Sequence, residues 1–257
     1  MFAESIYSEV LRSRRSNTLK NCKSNSLIRF GASVVSLALL STVLMGGCPG
    51  FSELPKASDV RYVNMASHGQ MANSTLTFDT NFIGKVDQYS KSFYTGQSPK
   101  KAVAMITDKD GNAVCNVPDF ECPSDSYVSM ISLGSDTNVE LVKVSRYHDS
   151  LYPGAGEFKV TFVNGVEQAF GVDVYVLNVG APVSGTPAVS GITYTEDAAA
   201  TVTLTGTTKD FVACFHGTTT EMFRTTVTLS GGDEFLSVLV SPTGLPGSFK
   251  TMNFVTE

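Results

Sequence analysis

The chain has 257 residues, no tryptophan and a formal net charge of −5. Six basic and two acidic side chains precede residue 48, which leaves 13 basic and 22 acidic ones, a net charge of −9, in the remainder. Such an acidic surface has no cationic stripe to displace counterions from phosphates, which excludes nucleic acid as a partner. The lack of tryptophan excludes a tryptophan-based sugar platform.

The first predicted element is an export signal. Arg12, Arg14, Arg15, Lys20, Lys23 and Arg29 lead into the apolar run FGASVVSLALLSTVLM at residues 30–45. As a helix this run would be roughly 24 Å long, short of a hydrocarbon core of roughly 30 Å. A positive n-region, an apolar h-region and closing small residues mark a signal peptide. Gly46-Gly47-Cys48 ends the run, and a cysteine straight after a small pair resembles a bacterial lipoprotein signal. That resemblance implies a signal peptide over 1–47 and acylation of Cys48. It also implies anchorage in the lipid bilayer of the cell envelope, at the outer membrane of a Gram-negative cell. A permanent membrane span, or an ordinary signal cut near Gly47 without lipid, are the alternatives. Ser13-Arg14-Arg15 lies about 15 residues ahead of the apolar run, too far for a twin-arginine signal. Residues 48–56, rich in Pro, Gly and Ser, are expected to form the lipidated tether.

Strand patterns then follow one another. VRYVNM, STLTFDT, AVAMIT, SYVSMISL and NVELVKVS occupy the first half. EFKVTFVN, GVDVYVLN, ATVTLTG, DFVACFH, TTVTLSG, FLSVLVS and FKTMNFV occupy the second. Val, Thr, Phe and Tyr dominate these runs, and Gly, Asn, Asp and Pro punctuate them. Phe158, Val160 and Phe162 share one face of a strand, with Lys159 and Thr161 on the other. No segment after the tether has a sustained helical period.

The halves repeat. Val63-Asn64 matches Val163-Asn164 at a spacing of 100 residues, which sets Val60 against Val160 and Tyr62 against Phe162. Further on, AVAMITDKDGNAVC aligns loosely with ATVTLTGTTKDFVAC, and YVSMISLGSDTNVELVKVS with RTTVTLSGGDEFLSVLVS. The prediction is an all-β chain of two tandem Ig-like β-sandwich domains, 57–150 and 155–257, joined at the turn-rich DSLYPGAG of 149–156. The openings of the two copies, DVRYVNMAS (59–67) with STLTFD (74–79) and FKVTFVN (158–164) with GVDVYVL (171–177), resemble the bacterial domain of unknown function 4397. The resemblance implies tandem Ig-like sandwiches in an envelope protein, with no assigned activity.

Candidate chemistry is sparse. Asp108-Lys109-Asp110-Gly111-Asn112-Ala113 resembles the start of a calcium loop, with Asp108, Asp110 and Asn112 as weak candidate ligands. Ala113 stands where such a loop needs glycine, and the flanks are strands, so Asp-Gly is expected to close a type I′ hairpin with positive φ at Gly111 and Asn112. Cys115 and Cys122, with six residues between them in an expected loop, are predicted to pair in an oxidising compartment. Cys214 is expected to be a buried apolar thiol. His68, His148 and His216 have no metal spacing, and no GxSxG elbow, P-loop or dinucleotide fingerprint occurs. The sequence thus predicts a lipid-anchored envelope protein with a structural or adhesive role, no enzyme and no cofactor. The alternative is a ligand-binding module for glycan, peptide or weakly held calcium, and the expected partners are the bilayer and an envelope protein or glycan.

Overall fold

A computed structural model describes residues 55–67, 69–135, 138–167, 171–241 and 247–254. Among these the chain is all β. The first half supplies β1 (Ser58–Asn64), β2 (Ser74–Phe78), β3 (Asn81–Val86), β4 (Ser90–Lys91), β5 (Thr95–Gln97), β6 (Lys100–Thr107), β7 (Ala113–Cys122), β8 (Ser126–Ser135) and β9 (Asn138–Tyr147). The second supplies β10 (Glu157–Asn164), β11 (Val172–Leu177), β12 (Val189–Ile192), β13 (Asp197–Thr203), β14 (Thr208–Phe215), β15 (Glu221–Thr228), β16 (Glu234–Val240) and β17 (Ser248–Asn253). No strand lies between Tyr147 and Glu157.

Each half is a sandwich of two sheets. In the first, an inner sheet of order β4-β1-β8-β9, with β5 also on β1, packs against an outer sheet β3-β2-β6-β7. In the second, the inner sheet is β13-β10-β16-β17 and the outer sheet β12-β11-β14-β15. β1 pairs with β8 in parallel, and β10 with β16 likewise. The first core places Val60, Tyr62, Val128 and Met130 against Leu76, Phe78 and Ile106. The second places Phe158, Val160 and Phe162 against Val172, Val174 and Phe211.

A third core lies between the inner sheets. Val63, Met65, Ile131, Leu133 and Val144 pack on Val163, Leu236, Val238, Val240 and Phe254. Both inner sheets are therefore covered on both faces, and every residue of β16 is buried. This is why FLSVLV reads as a near-continuous apolar run. Glu53–Glu257 is one compact unit for the same reason. Arg61, fully buried on β1, crosses this interface. Its Nε donates to Ser129 Oγ at 2.9 Å, its Nη1 donates to the Asn253 carbonyl at 3.0 Å, and its guanidinium lies 4.8 Å from the Tyr94 ring centre.

The 100-residue repeat has a physical basis. Asn64 and Asn164 are both buried, and each donates its Nδ2 to a backbone carbonyl, Met71 at 2.7 Å and Ile192 at 3.0 Å. The later alignment of the halves needs correction. By position in the sheets β6 matches β14 and β8 matches β16, whereas the sequence patterns set β6 beside β13 and β8 beside β15. One strand–turn–strand unit resembles the next, so local pattern slips by a strand.

The predicted Cys115–Cys122 bridge is also corrected, since both thiols and that of Cys214 are free. The stretch read as a loop is β7, and the two cysteines lie at opposite ends of it, beside Ile106 and Lys100. Seven residues of strand span on the order of 20 Å, against a Cα separation of at most about 7 Å in a disulfide. Pro118, Asn116 and Asp119 disguised this strand, and β7 accommodates Pro118 because it is a sheet edge. Burial pushes all three thiols up, which leaves them poor nucleophiles.

The outer sheets differ. Residues 178–188, between β11 and β12, lie over the outer face of the second sandwich, where Tyr175, Val212 and Cys214 are buried with Leu177 and Val183 packed on them. Asp210 fastens this cover. Its carboxylate accepts Gly180 N–H at 2.9 Å, Arg224 Nη1 at 2.7 Å and Thr226 Oγ1 at 2.6 Å.

Candidate functional site

The signal segment, Cys48 and His68 lie outside the described residues. The Asp108–Asn112 segment is the β6–β7 turn, and it is not a type I′ turn. Among its residues only Gly111 has positive φ, at 88°. Gly111 N–H donates to the Asp108 carbonyl at 3.1 Å, and Asp108 N–H to the Asn112 carbonyl at 2.9 Å. This is a type I turn followed by a left-handed glycine, the three-residue hairpin form. The Asp108 carboxylate is turned inward. It accepts Asp110 N–H at 2.9 Å, Asn112 N–H at 2.8 Å and Asn112 Nδ2 at 3.1 Å. The Asn112 side chain, foremost among these donors, holds its pKa down. Asp108 therefore works as a turn cap, and Asp110 points instead at Lys109, 3.0 Å away.

Sequence spacing left the histidines unpaired, but the fold pairs the two described ones with carboxylates. His148 Nδ1 lies 3.0 Å from Asp125 and Nε2 3.3 Å from Asp59, with the ring against Tyr127. His216 meets Asp173, which projects from β11. Asp173 Oδ1 accepts Ser190 Oγ at 2.6 Å, His216 Nδ1 at 2.8 Å and Gly191 N–H at 2.8 Å, and Oδ2 accepts Gly217 N–H at 2.8 Å. Burial pushes this carboxyl up, but the donors of Ser190, His216, Gly217 and Gly191 outweigh it and bring it down to about 2.

A Ser–His–Asp set invites comparison with a hydrolase triad, and its geometry is wrong for one. In a triad the acid holds Nδ1 and the serine faces Nε2. Here Ser190 donates to the acid itself, and its 3.5 Å approach to the ring is to Nδ1. The acceptor of the Ser190 hydroxyl is thus a carboxylate held at about 2, a poor base for its proton. Asp173 instead ties the start of β12 to the β14–β15 turn. The sign of this clamp in the sequence is one charge inside an apolar strand, GVDVYVL.

A groove of about 540 Å³ lies where three sheet edges meet. β4 borders the first inner sheet, β17 the second inner sheet and β15 the second outer sheet. The walls are Tyr89, Ser90 and Lys91, then Thr225–Thr228, then Phe249–Met252. Among the described residues, two lysines and six hydroxyl-bearing residues line it, and no carboxylate does. Thr225 Oγ1 accepts Phe249 N–H at 3.2 Å and so joins two of the walls. Tyr89 has a left-handed backbone, φ 57°, held by its N–H donating to the Asn64 carbonyl at 2.7 Å. The Lys250 ammonium sits 5.2 Å from its ring centre. Sequence reasoning missed this groove because its walls come from three segments up to 160 residues apart, none of which carries a local signal of a site.

No family model and no curated protein matches the chain. Three solved structures match the chain at low similarity. A family 41 carbohydrate-binding module from streptococcal virulence factors, described for alpha-glucan recognition, is 10% identical over 72% of this chain and 95% of its own, with a TM-score of 0.27. The family 26 module of Eubacterium rectale Amy13K, in complex with maltoheptaose, is 12% identical over 78% and 97%, with a TM-score of 0.24. SpuA, a multi-modular glycogen-degrading pneumococcal virulence factor, is 11% identical over 76% of this chain and 24% of its own, also with a TM-score of 0.24. At these scores the likeness carries no argument about what this chain binds.

Proposed function

We propose that the chain is an exported, non-catalytic binding module of the bacterial envelope, lipid-anchored through Cys48, that holds an extended anionic glycan in the groove between β4, β15 and β17. Its organisation is a signal peptide over 1–47, a tether over 48–56 and tandem domains over 57–150 and 155–257. The resemblance to the domain of unknown function 4397 is part of the same reading.

The groove carries the proposal. It is an open trough rather than a closed pocket, which suits a polymer. Its hydroxyl-bearing side chains match a ligand rich in hydroxyls, and Tyr89 offers a partly exposed ring. Lys91 and Lys250, the charged residues of its described walls, make it a cationic strip on a domain of net negative charge, which favours anionic over neutral chains. The non-catalytic part rests on Asp173, whose donors hold it as a clamp. A second reading, adhesion through a partner strand added to β15 or β17, is favoured by the same feature, since both are terminal strands of their sheets.

The test uses full-length protein purified from envelopes in mild detergent. Retention on immobilised polygalacturonate and weak retention on neutral dextran are expected, with about a tenfold loss of affinity in Lys91→Glu/Lys250→Glu, about 1.4 kcal/mol. Equal retention on dextran, or no effect of charge reversal, overturns the glycan reading. Retention of an envelope protein but of neither polymer supports adhesion. For the anchor, Cys48→Ala is expected to abolish labelling by palmitate and to leave uncut precursor. Normal cutting and release of that variant overturn lipidation.

A further inference from the structure

The two inner sheets are closed on each other at the Val163 end of β10 and diverge at its start. There, Lys159 and Thr161, the polar face of EFKVTFVN, line a cleft of about 210 Å³ against β9. At its base Arg146, from the first sandwich, is ion-paired through Nε with Glu234 of the second, and both side chains are only 4% exposed. Arg146 Nη2 donates to the Ser150 carbonyl at 2.8 Å, and the guanidinium lies 4.2 Å from the Tyr152 ring centre. Its remaining nitrogen, Nη1, has no partner among the described residues, and Glu234 Oε1 has only Lys159, 3.4 Å away. Most buried polar atoms are paired, so an incompletely paired Arg146–Glu234 couple among the lining of a cleft points to a polar ligand there.

We infer that this cleft between the sandwiches binds a single neutral polyol unit, either a free monosaccharide or the end unit of a sugar chain. The lining fixes the charge of the ligand. Arg146 and Lys159 oppose Glu234 and Asp197, two cations against two carboxylates. An anion would face both carboxylates and a cation both basic groups. A polyol both donates and accepts, so it suits a lining that sets basic side chains beside acidic ones. The volume equals about seven waters of liquid, enough for one sugar ring and too little for a polymer. Tyr147, 60% exposed at the rim, offers an apolar ring face to such a unit. The occupant would touch β9 of one sandwich and β10 of the other, and so would lock the two together.

The experiment is calorimetry and thermal melting of the detergent-purified full chain with glucose, galactose, mannose and N-acetylglucosamine, each alone and as its disaccharide. At least one monosaccharide is expected to bind and to raise the melting temperature, with affinity lowered about tenfold in Tyr147→Ala and in Thr161→Val. Neither change touches the Arg146–Glu234 pair, so both variants are expected to melt like the parent without ligand. A disaccharide that binds as well as its monomer identifies a chain end, and one that does not bind identifies a free sugar. Excess polygalacturonate that fails to displace the monosaccharide separates this cleft from the groove. Absence of binding across the panel, or binding unchanged in both variants, overturns the inference.

Discussion

The outer faces of the two sandwiches are built on the same strand layout and end in opposite chemistry. In the first, β2 and β3 are joined by Asp79 and Thr80 alone, both with positive φ, a type I′ turn. Among the described residues nothing crosses the sheet, and its outward residues are Thr75, Thr77, Lys101, Val103 and Met105, none of them buried. In the second, the equivalent connection runs from 178 to 188 and folds back over the sheet. The positions beneath it hold Tyr175, Val212 and Cys214, with Asp173 and Asp210 buried beside them. Loop length decides whether a strand's second face meets water, and the side chains follow. A covered face also gains charged clamps, because the loop brings backbone N–H groups that need acceptors.

The comparison is broken most directly at Asp210. Asp210→Ala removes the acceptor of Gly180 N–H and the buried partner of Arg224. Loss of one member of a buried pair costs about 3–5 kcal/mol, and Arg224 keeps Glu221 at 2.8 Å, so a loss of about 3 kcal/mol in urea unfolding is expected. Proteolysis within 178–188 is expected to rise with it. A midpoint equal to that of the parent chain would mean the loop does not depend on its clamp.

The next largest effect is acid. The Asp173 carboxyl sits at about 2 against an ordinary 3.8. A depressed carboxyl stabilises the fold fully above its unfolded value and loses that contribution as pH falls through its folded value. The window is therefore pH 4 down to 2, and the contribution is about 2 kcal/mol. Urea titrations of the parent and of Asp173→Asn are expected to converge across that window and to differ by this amount at pH 6. A constant difference from pH 6 to pH 2 would show that Asp173 is not ionised in the fold.

The difference between faces was only half legible in the sequence. Alternation such as Phe158, Val160 and Phe162 gave the strands and the inward faces, and Asn64 and Asn164 gave the repeat. Lys159 and Thr161 looked like a solvent face and instead face the other sandwich, because alternation reports two faces without naming what covers each. Asp173 and Asp210 are buried beside apolar residues of the same strands, which the strand patterns GVDVYVL and DFVACFH do not show. β7 was hidden by Pro118, and the short β3, β4, β5 and β12 carried too few residues for a pattern. The groove and the cleft depend on contacts between distant segments, which no local period encodes.

A smaller effect is expected where the first sandwich closes its β6–β7 hairpin. The same hairpin is tied differently in each copy. Asp108 caps it from inside the turn, whereas Asp173 reaches the β14–β15 turn from a neighbouring strand. Asp108→Ala is expected to lower the melting temperature slightly and Asp108→Asn clearly less. Calcium at millimolar concentration is expected to leave the parent melting temperature unchanged. A calcium-dependent rise that Asp108→Ala removes would restore the ligand reading of Asp108, Asp110 and Asn112.

The smallest effect sharpens the comparison because it is nearly nothing. Thr77 stands on the open face, half-buried, with its hydroxyl 3.4 Å from the Met105 carbonyl, a weak bond. Thr77→Val keeps the branched shape, which suits a strand, and loses only that contact. A change within about 0.5 kcal/mol is expected, as at surface sites without special contacts. If a partner covered this face as 178–188 covers the other, the parent hydroxyl would be desolvated and valine would stabilise the covered state. Comparing Thr77→Val in purified protein and in intact envelopes, by thermal proteolysis, separates the cases. Equal shifts in both settings mean the face stays open where the protein works. A larger stabilisation in envelopes means that something there does for the first sandwich what the loop does for the second.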